Sequence, residues 1–152
     1  MSDPTARQEL TRALLRDVAP DEDEFFDAYE VAVASATADH SVGTGFGLPA
    51  ELTGLIGLAA VLVGQSIFDK VLEWSADLAS DVAKKVLTDA AAEKLKRWLR
   101  APATASLGGV LTAAGKVEIL AIIERDASAA SLSKDDKDKL MIATAKQLGL
   151  AP

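Results

Sequence analysis

An uncharged stretch of 17 residues, Leu52 to Phe68, limits the possible folds of this chain more than any other feature. It contains three glycines and is followed at once by a charged, amphipathic stretch. A helix that is hydrophobic on every side needs apolar surroundings, which either a helical bundle or a lipid bilayer supplies. At about 1.5 Å per residue, the stretch reaches roughly 25 Å, somewhat short of a bilayer core of about 30 Å. Both environments therefore remain open for this helix.

Small residues line one face of the predicted helix. They follow one another at intervals of four, three and four residues: Thr53, Gly57, Ala60 and Gly64. Each glycine costs about 1 kcal/mol relative to alanine in a helix, so close packing must offset that cost. Small residues let two helices approach closely, in bilayers and in bundles alike. We predict that this face, together with Gly54, packs against another helix or meets a membrane.

Composition predicts an all-α fold, and the N-terminal sequence predicts a cytoplasmic protein. Alanine and leucine predominate and aromatic residues make up only 5% of the chain, as is typical of helical proteins. The absence of cysteine excludes disulfides, a thiolate nucleophile and cysteine metal sites. The N-terminal sequence MSDPTARQEL lacks the basic start and apolar run of a signal peptide. We expect a cytoplasmic protein, with peripheral or conditionally inserted membrane association as a further hypothesis.

The chain is expected to form one domain, a bundle of about five helices over residues 1–152. We expect acidic helices in 1–39, a glycine-rich hinge at 40–49, a hydrophobic and then amphipathic helix in 50–100, and a helical pair in 110–149. A single helix over 50–100 would be about 75 Å long, too long for such a domain, so we predict a break. The candidate positions are Gly64 and Thr88–Asp89.

Short local motifs predict several helix ends. Asp3 followed by Pro4 is typical of a first turn. Asp21 with Glu24 three residues later resembles a capping box. Ser133 with Asp136 predicts the start of the last helix, and Gly149 predicts its end.

Acidic charge is concentrated in the first 49 residues, which hold ten acidic and three basic side chains. This charge disfavours nucleic acid as a partner, because phosphates would be repelled. The acidic side chains form either a solvated surface or a segment, Asp21 to Glu30, that docks onto basic residues farther along the chain. Those residues are Lys84, Lys85, Lys94, Lys96, Arg97 and Arg100.

The same basic residues, with Trp98 among them, also suit an anionic membrane or an acidic partner. We predict lipid or acidic-partner contacts from these seven side chains: Lys84, Lys85, Lys94, Lys96, Arg97, Trp98 and Arg100. The alternative is an ordinary salt-bridged helix surface with Trp74 and Trp98 turned into the core.

No group of residues in this sequence indicates catalysis. The single histidine, His40, stands beside Asp39 in the glycine-rich connector without a second kind of metal ligand nearby. The connector also lacks the glycine spacing and the lysine of a phosphate-binding loop. We therefore expect no enzyme, no catalytic residue, no cofactor and no metal site.

Two functions remain. In kind, a helical body that bears a glycine-rich hydrophobic helix resembles helical membrane-disrupting effectors of defence or conflict systems, although no residue motif carries a site across. The first hypothesis is a non-enzymatic protein that self-associates and acts at a membrane through a conditionally exposed face from Gly54 to Gly64. The second is a soluble helical adaptor, scaffold or cargo-binding module that buries this face in a protein–protein interface. The expected partner is a second copy or another helical protein, with an anionic membrane as a further candidate.

Overall fold

The computed structural model describes residues 4–38, 56–88, 91–101 and 107–150. Within these ranges the fold is all-α, as the composition predicts, and contains no β-strand. It has seven α-helices there, rather than about five, together with one 3₁₀ helix (Pro20–Phe25). The α-helices are α1 (Pro4–Val18), α2 (Phe26–Ala38), α3 (Ile56–Ala76), α4 (Asp81–Val86), α5 (Ala91–Arg100), α6 (Ala113–Ala129) and α7 (Lys134–Leu148). The predicted hinge at 40–49 lies outside the described residues.

Helix α3 carries most of the uncharged stretch and lies at the centre of the fold. It is buried without interruption from Gly57 to Gly64, and Ile67, Phe68 and Val71 continue the buried surface. Helices α1, α2, α5, α6 and α7 all contact α3. Its apolar surroundings are therefore other helices of the same chain. Among the helices in the described ranges, none is long and apolar enough to cross a bilayer.

The amphipathic region after the uncharged stretch is divided into three helices. Helix α3 continues through Gly64, so the break considered there is absent. The chain turns after Ala76, and the Ser80 side chain then caps α4 by accepting a hydrogen bond from the Ala83 amide at 3.1 Å. Helix α4 ends because Leu87 is extended and pairs with Leu111. The break predicted at Thr88 is confirmed, while Asp89 lies outside the described residues.

Of the helix ends predicted from local motifs, those of α1 and α7 are confirmed and the one at Asp21 is wrong. Helix α1 begins at Pro4 as expected. The capping box predicted at Asp21 is wrong, because this residue lies inside the 3₁₀ helix, whose N-cap makes no side-chain hydrogen bond. At the last helix, Ser133 accepts a hydrogen bond from the Asp136 amide at 3.2 Å, and Gly149 adopts the left-handed conformation with φ 70°. Both ends of α7 are thus confirmed.

Thr112 joins the start of α6 to the end of α4. Its hydroxyl oxygen accepts a hydrogen bond from the Gly115 amide at 3.1 Å and donates one to the Lys85 carbonyl at 2.6 Å. The Thr112 amide also donates to the Val86 carbonyl at 2.9 Å. A Cβ at Gly115 would overlap that same carbonyl, so the two helices approach at a position that needs glycine.

Candidate functional site

The small-residue face of α3 is the candidate site, and other helices of the same chain cover it. We call Gly57, Ala60 and Gly64 the glycine face; all three are buried. Thr53 and Gly54, which the sequence assigns to the same face, lie outside the described residues. The cover consists of α1, the 3₁₀ helix and α2.

At one end of the glycine face, the backbone of Gly64 lies directly against Thr11 of α1. A Cβ at Gly64 would be 2.6 Å from Thr11 Cγ2 and 3.0 Å from Thr11 Cα. The buried Thr11 hydroxyl donates to the Arg7 and Gln8 carbonyls of its own helix, both at 3.1 Å. Because the hydroxyl is satisfied within α1, the threonine methyl is left to fill the space that glycine provides.

At the other end, three elements meet over Gly57. A Cβ there would be 2.6 Å from Glu22 Oε1, 2.7 Å from Leu15 Cδ1 and 3.1 Å from Tyr29 Cε2. The Tyr29 hydroxyl donates to Glu22 Oε1 at 2.6 Å. Burial and this hydrogen bond raise the pKa of Tyr29 above its ordinary value. The tyrosine therefore stays protonated and holds the 3₁₀ helix against α2 and α3.

Beyond the glycine face, a stack of side chains joins α1, α3 and α5. Arg7 Nη2 lies 2.6 Å from Asp69 Oδ1, and the Arg7 guanidinium lies 5.8 Å from the centre of the Phe68 ring. The Phe68 ring is in turn 5.7 Å from the ring of Trp98, centre to centre. Trp98 is fully buried. The lipid contact expected from Trp98 is therefore corrected: its side chain packs in the core against Phe68 and reaches no surface.

The six basic residues of the same predicted surface are all exposed. They lie on α4 (Lys84 and Lys85) and on α5 (Lys94, Lys96, Arg97 and Arg100). Their side chains point outward because Leu95 and Trp98 take the buried positions of α5. These cations therefore face solvent in the part of the chain that the structure describes.

In the contacts that the structure shows, the acidic segment from Asp21 to Glu30 does not pair with the basic residues of α4 and α5. Asp23 Oδ1 accepts from Arg12 Nε at 3.2 Å and from Arg16 Nε at 3.0 Å. These hydrogen bonds lower the pKa of Asp23 below its ordinary value. Glu30 accepts from Gln8 at 3.3 Å. The segment thus pairs with α1, and the docking interpretation is corrected for these residues.

A groove between α1, α2 and α3 escaped the sequence analysis. Its volume is about 320 Å³. Side chains from the three helices line it: Arg7, Gln8, Glu30, Val31 and Gln65. No local motif signals such a groove, because it forms only when these helices are brought together.

In the described ranges, no group of three or more histidine, cysteine or acidic side chains is placed to hold a metal ion. His40 lies outside those ranges. Comparisons with protein-family models, curated proteins and solved structures find no match to this chain.

Proposed function

We propose that this chain is a non-enzymatic, self-associating helical protein that acts at a membrane by releasing α3 from its cover. The single observation that carries the proposal is the burial of α3, whose surface from Gly57 to Gly64 is enclosed by helices of the same chain. In the closed form this surface is sheltered from water. Separation of α1 and the 3₁₀ helix from α3 would expose it to lipid or to another copy.

Two features are compatible with such a separation. The Arg7–Asp69 ion pair that links α1 to α3 is partly exposed, with side chains 32% and 56% accessible. Pairs of this kind contribute only about 0–1 kcal/mol. The glycine face can also pack against another helix, because small residues let two helix backbones approach closely. The α3 of a second copy is therefore a suitable replacement for α1.

The exposed cations of α4 and α5 support an anionic membrane as the target. Each basic side chain near an anionic surface contributes about 1 kcal/mol of binding. The helices also place these residues on the outside of the bundle, where they can reach headgroups before α3 is released. Attachment would then precede insertion.

Vesicle flotation tests this proposal. The protein is mixed at neutral and acidic pH with vesicles of phosphatidylcholine alone or with phosphatidylglycerol added, and dye leakage is recorded in parallel. We expect flotation and leakage with the anionic vesicles. Replacing Lys94, Lys96 and Arg97 by glutamine should weaken binding about a hundredfold, because about 3 kcal/mol of attraction is lost.

The matched control removes three exposed lysines from another helix, Lys134→Gln, Lys139→Gln and Lys146→Gln on α7. We expect this variant to bind like the unmodified protein. Equal losses in both variants would point to net charge rather than to the α5 surface. Absence of binding to either vesicle at either pH rejects the membrane function.

One observation favours the second candidate function, a helical adaptor or scaffold. The glycine face is completely filled by side chains of its own bundle, as in a protein whose buried helix never leaves the core. The groove lined by Arg7 and Glu30 would then offer a site for a partner. Retained protein binding together with absent flotation would favour the adaptor.

A further inference from the structure

A buried carboxyl group lies between α6 and α3. The Asp126 side chain is 0% exposed. Its Oδ1 accepts a hydrogen bond from Arg125 Nε at 3.0 Å, whereas Oδ2 has no hydrogen-bond partner. A buried acceptor without a partner costs free energy, and an ionised one costs more. The position is therefore unfavourable for the charged form of Asp126.

The groups around Asp126 compensate this charge only in part. Arg125 lies on the same helix, and its side chain is 61% exposed, so water screens its attraction. Helix α3 presents the uncharged hydroxyl of Ser66. Burial raises the pKa of Asp126 above its ordinary value of 3.8, and Ser66 and Arg125 oppose that rise without cancelling it.

The other helices that contact α6 place their cations elsewhere. On α7, Lys137 lies 3.6 Å from Glu124 Oε1 and donates to Ser128 Oγ at 3.0 Å. The end of α4 contacts the first turn of α6, where the Val86 carbonyl lies against Gly115. Lys84 and Lys85 of α4 are exposed.

We propose that Asp126 is a pH-responsive latch between α6 and α3, closed while the carboxyl carries its proton and loosened when it ionises. The protonated group is neutral, so it can stay buried in this contact without the cost of burying a charge. The ionised group leaves a charge in the contact. This latch acts on the stability of the bundle, whether or not α3 ever meets lipid.

The direction of the pH effect follows from proton linkage. The folded protein holds this proton more tightly than the unfolded chain does, because the folded-state pKa is raised. The stabilising contribution is fully present below the ordinary pKa of 3.8 and is lost as the pH rises through the folded-state pKa. The contribution of Asp126 to the α3–α6 contact is accordingly greatest in acid.

Chemical unfolding of the full chain across this pH range tests the latch, with Trp74 and Trp98 as buried fluorescent reporters. Asp126→Asn keeps the shape of the side chain and removes its charge. We expect the folding constant of Asp126→Asn, divided by that of the unmodified protein, to rise with pH above 3.8 and then to level off. The rise should be about tenfold for each unit by which the pKa is raised. Glu118→Gln, an exposed acid on the same helix, should show no such rise.

Two further measurements on the same protein complete the test. Carbon NMR of the Asp126 carboxyl in the unmodified protein should give a titration midpoint above the ordinary value, and this holds even if the variant folds poorly. Amide protection in α6 should fall with pH in the unmodified protein and stay constant in Asp126→Asn, after correction for intrinsic exchange. A midpoint at or below 3.8, or parallel stability curves for the two proteins, overturns the latch.

Discussion

At the scale of single residues, the close contact between α3 and its cover depends on two atoms that α3 lacks. Gly57 and Gly64 have no Cβ, and the atoms of the cover occupy that space. A glycine inside a helix is unfavourable by about 1 kcal/mol relative to alanine, so its presence here is explained by contact rather than by helix formation. Gly64 is the clearer case, because a backbone atom of Thr11 is among the neighbours.

Gly64→Ala should therefore lower the free energy of unfolding despite the better helix propensity of alanine. The added Cβ would meet Thr11 at 2.6 and 3.0 Å, and overpacking of this kind costs roughly 1–3 kcal/mol. Chemical unfolding followed by circular dichroism measures the effect. Gly109→Ala is the matched control, since a Cβ there has no atom within 4 Å, and it should change stability by about 0.5 kcal/mol or less. Equal effects at both positions would contradict a close approach of α1 to α3.

Larger substitutions on the glycine face do not test the proposed function cleanly, because they have two effects at once. Leucine at Gly57 and Gly64 would block contact with lipid or with a second copy, and it would also push α1 away from α3. Loss of activity in such a variant would therefore mix two effects. A covalent link that leaves the face unchanged separates them.

At the scale of elements, the connection between α4 and α6 shows how one side chain sets two helix boundaries. The hydroxyl of Thr112 caps α6 and also bonds to the last turn of α4. Leu87 leaves the helix at this point and pairs with Leu111. The end of α4 and the start of α6 are thus one structural feature.

Thr112→Val should destabilise the fold by about 1–2 kcal/mol, because a cap is lost and a hydrogen bond to α4 is lost with it. Thr112→Ser keeps the hydroxyl and should stay near the unmodified stability. Thermal unfolding and amide exchange in the first turn of α6 measure both variants. Similar losses in the two would mean that the methyl group matters rather than the hydroxyl.

Helix ends that depend on neighbouring residues are predictable from sequence, and those that depend on distant residues are not. Ser133 and Gly149 satisfy backbone groups within a few positions, so their motifs suffice. The end of α4 depends on Leu111, 24 positions beyond Leu87, and no local pattern near Leu87 indicates it. The Asp21 motif fails because the residues after Pro20 form a 3₁₀ helix instead.

The candidate site divides in the same way. Small-residue spacing on α3 predicts a close contact but does not say that α1 makes it, since partner choice depends on the whole fold. Trp98 lies in an amphipathic stretch of sequence, so its side chain could take either a surface or a core position. Its stacking on Phe68, 30 positions earlier, decides for the core.

At the scale of the whole molecule, the arrangement is an apolar helix enclosed by helices that are less apolar. The described residues show the enclosed form, and the proposed function requires a second form in which α1 has left α3. In the proposed function, the free energy between the two forms would determine how readily α3 is released. Substitutions that weaken the α1–α3 contact should therefore increase leakage, provided that the remaining helices stay folded.

A cross-link between α1 and α3 tests this requirement most directly. The chain has no cysteine, so Arg7→Cys with Asp69→Cys gives one reactive pair, which a short cleavable thiol cross-linker can join. Lys70→Cys with Glu73→Cys is the control, because the same reagent then joins two positions of α3 and leaves α1 free. Dye leakage from anionic vesicles is recorded before and after the linker is cleaved. We expect leakage from the Lys70–Glu73 variant throughout, and from the Arg7–Asp69 variant only after cleavage. Leakage from the intact Arg7–Asp69 link at the control rate, or leakage from neither protein, would contradict the release of α3 from its cover.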